Sequence, residues 1–196
     1  LEKARINFTI NENADFSVDG SEIIVDLGRL AAEEDYFETA VNGITHEVFH
    51  VWSGEKSDWS DEKLETASSA ELRQEIIFKT MDEGLAVLVA NQNLEDFHRS
   101  KGRNYDEYIK ESFKAFESFL RFKDDKGNLI KVREGEFKDM GHFYVVGHEM
   151  ARRLSGAMSW EQFQMLIGEA RENPKSFFEA YQRLGAKNKE WLQISI

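Results

Sequence analysis

The chain has 196 residues, enough for one domain with a substantial core. Its 25 Lys and Arg residues against 37 Asp and Glu residues give a net charge of −12, which disfavours a nucleic acid or an anionic membrane surface as the partner. The absence of cysteine excludes disulfides and any zinc site with cysteine ligands. A metal site would therefore have to use histidine and carboxylate side chains.

The chain also lacks an apolar run near the roughly 18 residues that a membrane-spanning helix needs, so we expect no membrane insertion and a soluble chain. It begins at Leu1 rather than at methionine and shows no signal peptide. A processed or truncated exported protein would have both features, and we keep this origin as one expectation. The sequence leaves the compartment and the oligomeric state open.

The N-terminal residues predict a small sheet. Residues Arg5 to Ile10 alternate between polar and apolar side chains, which is typical of a half-buried strand. Asp19-Gly20 stands between two β-prone runs, Phe16 to Val18 and Ile23 to Leu27, and this dipeptide favours a two-residue hairpin turn. By fold analogy, the second run is also a candidate edge strand along which an extended peptide could bind.

From about Asp35 the apolar side chains recur at spacings of three and four, which predicts an amphipathic helix. We expect its apolar stripe to be buried, and the stripe contains Phe37, Val41, Ile44, Val48 and Trp52. That orientation would leave His46, Glu47 and His50 facing a cleft. Gly43 weakens a helix interior by up to about 1 kcal/mol relative to alanine, and we favour close packing over substrate clearance as the reason for its presence.

The segment His46-Glu47-Val48-Phe49-His50 is an H-E-x-x-H motif on this helix. Residues four apart lie about one turn apart on the same helical face, so both imidazoles can reach one metal ion. Glu47 flanks that face, which suits a general base acting on metal-bound water. The alternative is a helix surface with two incidental histidines, because so short a pattern also occurs by chance.

The remainder of the chain is predicted to be mainly helical. Ser53 to Lys63 is polar and indicates a loop, and Leu129 to Val132 is predicted to be a short strand after a turn. His98 lies in a polar segment and is expected to be solvated. Apolar periodicity and the single proline predict helices from about Leu64 or Ala70 to Asn91, Tyr105 to Phe122, Phe137 to Leu154, Trp160 to Ala170 and Pro174 to Leu184.

A catalytic zinc site typically has three protein ligands and an open fourth position, so a third ligand is needed. We predict Glu83, which lies on a helix expected to pack against the motif helix, with Gly84 and Ala86 beside it to allow close approach. The competing interpretation is an ordinary surface glutamate, because glutamate is abundant in this chain.

Two of these segments together resemble the gluzincin metallopeptidases. They are His46-Glu47-Val48-Phe49-His50-Val51-Trp52 and Asp82-Glu83-Gly84-Leu85-Ala86, which are similar to the H-E-x-x-H-x-W and N-E-G-x-A motifs of the alanyl and leucyl aminopeptidase family. In that family the glutamate of the second motif is the third zinc ligand. The resemblance therefore implies one zinc ion (Zn²⁺) per chain, held by His46, His50 and Glu83.

A third segment, Phe143 to Met150, resembles the Y-x-K-G motif of the same family, because Tyr144 stands three residues before Gly147. The tyrosine of that motif stabilises the oxyanion of the tetrahedral intermediate, so the resemblance implies this role for Tyr144. The alternative is a buried tyrosine with a hydrogen-bonded hydroxyl. His148, on the same predicted helix face, is a weaker second donor, and His142 is expected to be structural or on the surface.

The chain departs from the aminopeptidase pattern at several points. Asp82 replaces the asparagine, Val146 replaces the lysine, and the connection between His50 and Glu83 is longer. No G-x-M-E-N stretch, which binds the substrate amino terminus in that family, precedes the zinc motif. The prediction is therefore a broader gluzincin-type zinc peptidase, with its substrate and its endo- or exopeptidase specificity open.

These patterns predict an α+β protein with a zincin-like, thermolysin-like catalytic domain over residues 1–196, in which residues 1–34 are mainly strands and residues 35–196 mainly helices. The predicted function is zinc-dependent hydrolysis of a peptide or protein substrate, with Glu47 as general base and Tyr144 as oxyanion donor. Two alternatives stay open: a zinc-dependent hydrolase of a non-peptide substrate, and a catalytically inactive, zinc-stabilised interaction domain.

Overall fold

The computed structural model describes residues 5–10, 16–19, 22–32, 35–53, 61–121, 126–138, 140–188 and 190–194. In these residues a small three-stranded sheet is followed by helices, so the fold class is α+β, as predicted. The chain divides into two compact units: the first contains the sheet, the motif helix and residues Ala86–Gln92, and the second contains most of the other helices. The assignment of all 196 residues to one catalytic domain stays a prediction.

The first unit begins with strands β1 (Arg5–Thr9), β2 (Phe16–Asp19) and β3 (Glu22–Asp26). β3 is the central strand, because it pairs in parallel with β1 and antiparallel with β2. The antiparallel β2–β3 pair confirms the predicted hairpin, but Asp19, which was predicted to lie in its turn, ends β2 and pairs with Glu22. Gly20 lies outside the described residues.

Two expectations about this sheet are wrong. Ile23 to Leu27 does not form an edge strand, because β3 has a hydrogen-bonded neighbour on each side and Leu27 already begins the short helix α1 (Leu27–Leu30). β1 is not half-buried, since Ile6 is 43% and Phe8 is 59% exposed. The alternation correctly predicted a strand, but the fully buried side chains, Ile23 and Val25, belong to its neighbour β3.

The H-E-x-x-H motif lies on α2 (Tyr36–Ser53), but the predicted orientation of this helix is wrong. Phe37 and Val41 of the apolar stripe are 74% and 47% exposed, whereas His46 and His50 are buried. Gly43 lies on the buried face with them. A Cβ on Gly43 would overlap the ring of Phe16 in β2, so close packing is confirmed as the reason for this glycine.

The second unit is helical. It contains α3 (Asp61–Thr66), most of α4 (Ser69–Val89), α5 (Leu94–Ser100), α6 (Tyr105–Arg121), α7 (Lys126–Glu136), α8 (His142–Ala157), α9 (Trp160–Glu172) and α10 (Lys175–Gly185). The predicted helices correspond to α4, α6, α8, α9 and α10. In the part of the chain that the structure describes, no helix is both long and apolar enough to cross a membrane.

The structure differs from two predictions that were made from local sequence patterns. The strand predicted for Leu129 to Val132 is wrong, because these residues lie in α7, and a short apolar run does not distinguish a strand from a helix. In the predicted loop Ser53 to Lys63, Ser53 ends α2, and the last three residues begin α3. Residues 54–60 of that loop lie outside the described residues.

Helices α4 and α8 cross at two glycines. A Cβ on Gly147 would overlap the carbonyl oxygen of Thr80, and a Cβ on Gly84 would overlap the backbone of Gly147. The two backbones therefore meet without side chains between them. Gly84 was predicted to allow contact with the motif helix, but its nearest neighbours belong to α8.

His98 is fully buried in α5, so the expectation of a solvated side chain is wrong. Its ring centroid lies 4.3 Å from that of Tyr108, and its Nδ1 lies 2.8 Å from a guanidinium nitrogen of Arg103. Burial and, secondarily, the charge of Arg103 lower the pKa of His98 to about 4. Leu94, one helical turn earlier, is also buried, so the inner face of α5 follows helical spacing in an otherwise polar sequence.

His142 has a structural role, which is one of the two alternatives expected from the sequence. Its ring stacks on Tyr108 with the centroids 4.6 Å apart. Its Nδ1 lies 2.9 Å from the hydroxyl oxygen of Ser112, which is fully buried in α6. The side chain therefore joins the first turn of α8 to α6.

We predict that Gly147→Ala destabilises the protein by roughly 1–3 kcal/mol or more, because the new methyl group overlaps a backbone carbonyl that cannot rotate away. Gly156→Ala on the same helix is the matched control, since a Cβ there meets nothing within 4 Å. This control should be neutral or stabilising by up to about 1 kcal/mol. Urea unfolding measures both, and equal midpoints for the two variants would contradict the crossing.

We also predict that His98 makes the protein less stable in acid. Its folded pKa of about 4 lies below the ordinary histidine value of 6.5, so as pH falls below about 6.5 the unfolded chain binds a proton that the folded chain does not. This difference costs about 2 kcal/mol by pH 5. In His98→Gln, the loss of unfolding free energy between pH 7 and pH 5 should be smaller by that amount, and an unchanged loss would count against the prediction.

Candidate metal centre

The two motif histidines converge on one point inside the first unit. Their Nε2 atoms are 3.0 Å apart, and their ring planes are inclined at 71°. Two nitrogen ligands at 2.0–2.1 Å from a tetrahedral zinc ion lie about 3.3 Å from each other. The observed separation is therefore close to that of two ligands of one ion, and the burial of both rings limits competition from water.

Glu83 on α4 is the third residue of a group that could hold a metal ion. One ligand atom each of His46, His50 and Glu83 lies within 4.8 Å of the other two. The Glu83 carboxylate is buried, and the ammonium nitrogen of Lys79, one turn earlier, is 3.8 Å from it. Two imidazoles and one carboxylate are a known ligand set of catalytic zinc, so these residues fit a zinc ion.

Gln92 is a neighbour of this group that sequence reasoning missed. Its side-chain oxygen Oε1 lies 3.1 Å from Nδ1 of His46, the ring nitrogen that does not face His50. Metal-binding histidines usually donate this second ring proton to an acceptor that orients the ring. The sequence did contain a signal for this contact. Asn91 is a residue type that often ends a helix in a left-handed turn, and such a turn sets the direction of the residue that follows, Gln92.

Glu47 is half-buried on α2 and follows His46 directly. It is rotated by about 100° from that histidine around the helix axis. Among the described residues, the potential metal-binding group contains Glu83 and not Glu47. A carboxylate that is close to a metal site without being a ligand can accept and return protons. This is the role predicted for Glu47 as a general base, and it stays a prediction.

Tyr144 and His148 lie on α8, on either side of the glycine crossing. Tyr144 is half-buried, and its ring packs edge-on against Phe137 with centroids 6.0 Å apart. His148 is half-buried, and its Nδ1 has no hydrogen-bond partner among the described residues. Burial lowers the pKa of His148 to about 4, which keeps the ring neutral near pH 7. The oxyanion role of Tyr144 stays a prediction.

A family model described as "Putative zinc dependent peptidase (DUF5700)" matches residues 1–190. No curated protein and no solved structure matches the chain. The description agrees with the predicted class of zinc peptidase, whereas the closer resemblance to the aminopeptidases stays a prediction. Since the match spans nearly the whole sequence, the chain belongs to this family of zinc-dependent peptidases, which its description calls putative.

Proposed function

We propose that this chain is a zinc-dependent peptidase with a zincin-like, gluzincin-type catalytic arrangement, in which His46, His50 and Glu83 hold one zinc ion. The observation that carries the proposal is the buried group of these three residues, with ligand atoms within 4.8 Å of one another. The family description supports the same class of reaction. When bound, zinc supplies Lewis acidity, which lowers the pKa of a coordinated water to about 7 and polarises a carbonyl group.

Glu47 acts as the general base and then as the general acid. Its position next to His46, outside the potential metal-binding group found among the described residues, favours a role in proton transfer over one in metal binding. It accepts a proton from the water that attacks the scissile carbonyl carbon, and the C–N bond breaks as it delivers that proton to the leaving amine nitrogen. The attack and the departure of the amine thus use the same side chain.

Tyr144 donates its hydroxyl hydrogen to the carbonyl oxygen as negative charge develops there, which can lower the barrier by a few kcal/mol. A run of contacts within the second unit supports this role. The Lys79 ammonium group lies 3.8 Å from Glu83 and 5.2 Å from the ring centre of Phe137, and the Phe137 ring packs against that of Tyr144 in a T-shaped contact. The proposed ligand and the proposed donor are thus joined through packed neighbours, which favours a fixed position for the phenol.

The first test is metal content. Protein purified without chelator should contain about one zinc ion per chain by mass spectrometry, and His46→Ala should contain almost none. Glu83→Gln should weaken zinc binding by more than the roughly 10–100-fold typical of residues that only orient ligands.

The matched control for Glu83 is Asp82→Asn, because Asp82 is the adjacent carboxylate and is buried to a similar extent. It should retain zinc, since Asp82 is not in the potential metal-binding group found among the described residues. Equal losses in the Asp82 and Glu83 variants, with both proteins folded by circular dichroism, would exclude Glu83 as the specific third ligand.

The second test is hydrolysis. Glu47→Gln should keep its zinc and lose turnover of a mixed peptide library by roughly 10²–10⁴-fold, because an amide cannot accept the proton. Glu38→Gln, an exposed position on the first turn of the same helix, should leave turnover unchanged. Tyr144→Phe, assayed alongside, should also keep zinc while lowering kcat.

Activity that survives in Glu47→Gln would remove this residue from the mechanism. A zinc-loaded wild type that cleaves no member of the library would overturn the assignment to peptide bonds and favour a non-peptide substrate. These two outcomes are independent of the zinc measurement, so the site and the reaction are tested separately.

A further inference from the structure

We propose that Gln92 is the positioning residue of His46: its side-chain carbonyl accepts the Nδ1 proton of His46 and so leaves Nε2 unprotonated for the metal. This inference deepens the proposed function and rests on it, since it takes His46 to be a ligand. The side chains that form these contacts, His46, His50 and Gln92, all belong to the first unit.

The contact with Gln92 determines which ring nitrogen of His46 carries the proton. A neutral imidazole carries one proton, on either Nδ1 or Nε2. Because Oε1 of Gln92 can only accept, its 3.1 Å distance from Nδ1 of His46 selects the tautomer with the proton on Nδ1. Nε2 of His46 then carries a lone pair and acts as an acceptor.

The second contact of His46 agrees with that assignment. Its Nε2 lies 3.0 Å from Nε2 of His50, and a hydrogen bond between two nitrogens needs one donor and one acceptor. With His46 as the acceptor, His50 donates in the metal-free protein. One arrangement of protons therefore satisfies both contacts, whereas a proton on Nε2 of His46 would leave two lone pairs facing each other at Gln92.

The backbone explains how a residue just beyond the end of α4 is directed at His46. Asn91 has a positive φ of 53°, the left-handed conformation that asparagine tolerates better than most residues. Its N–H donates to the carbonyl of Leu88 over 3.2 Å, and the N–H of Gln92 donates to the carbonyl of Val87 over 3.1 Å. This pair of bonds is the Schellman ending of a helix, and it ties the Gln92 backbone to the last turn of α4.

The anchor of this turn is buried and lies near the proposed ligand in sequence. Val87 is fully buried, and Glu83 precedes it by one helical turn on α4. The same helix thus carries one proposed ligand, Glu83, and is followed by the residue that orients another, His46. Gln92 thus joins the C-terminal end of α4 to the ring of His46.

The first experiment compares zinc affinities by chelator competition. Gln92→Leu removes the acceptor and should weaken binding by roughly 10–100-fold. Gln92→Glu keeps an acceptor at this position and should bind at least as tightly as the wild type. Gln164→Leu, at an exposed position on α9, is the control and should leave the affinity unchanged. Equal affinity in Gln92→Leu and in the wild type would overturn the inference.

The second experiment reads the tautomer in the metal-free protein by long-range ¹H–¹⁵N correlation NMR. The wild type should show His46 protonated on Nδ1, and Gln92→Leu should lose that preference, a change that general destabilisation would not produce. A wild-type His46 protonated on Nε2 would overturn the inference. If the wild type binds no zinc but shows the expected tautomer and its loss in Gln92→Leu, the pairing with Gln92 stands and only the proposed function fails.

Discussion

The constraint on which the rest of this structure depends is the burial of two neighbouring imidazoles on one face of α2. Buried polar groups need hydrogen-bond partners or a metal, because an unpaired group loses its hydration without compensation. His46 meets this requirement through His50 and Gln92, over 3.0 and 3.1 Å. The helix therefore turns its polar face inward, which is the reverse of what its apolar stripe predicts.

This orientation has a cost in stability. Burying a large apolar side chain typically contributes about 1.5–3 kcal/mol, and α2 forgoes part of that gain at Phe37 and Val41, which stay 74% and 47% exposed. Local rules and the observed structure disagree most often at functional sites. The disagreement on α2 falls on the helix that carries H-E-x-x-H, which is a reason independent of the motif to regard it as functional.

Burial by itself does not mark a histidine as a ligand in this protein. His98 is buried more completely than His46 or His50, yet aromatic rings and Arg103 surround it. The distinction lies in the neighbours: the motif histidines converge with a carboxylate, whereas His98 is kept neutral by its surroundings and carries a pKa of about 4. Acid sensitivity at His98 and the proposed binding of metal at His46 and His50 are therefore assigned to different histidines.

Spacing along the chain was sufficient for the helices that became α2, α4, α6, α8, α9 and α10, for the β2–β3 hairpin and for the pairing of His46 with His50, because periodicity and turn chemistry act between close neighbours. Glu83 could be singled out only with the help of a family resemblance. Tertiary structure decided that β3 is central, that the histidine face of α2 is buried, and that Gln92 reaches His46. These features depend on contacts between residues far apart in sequence, which no local pattern encodes.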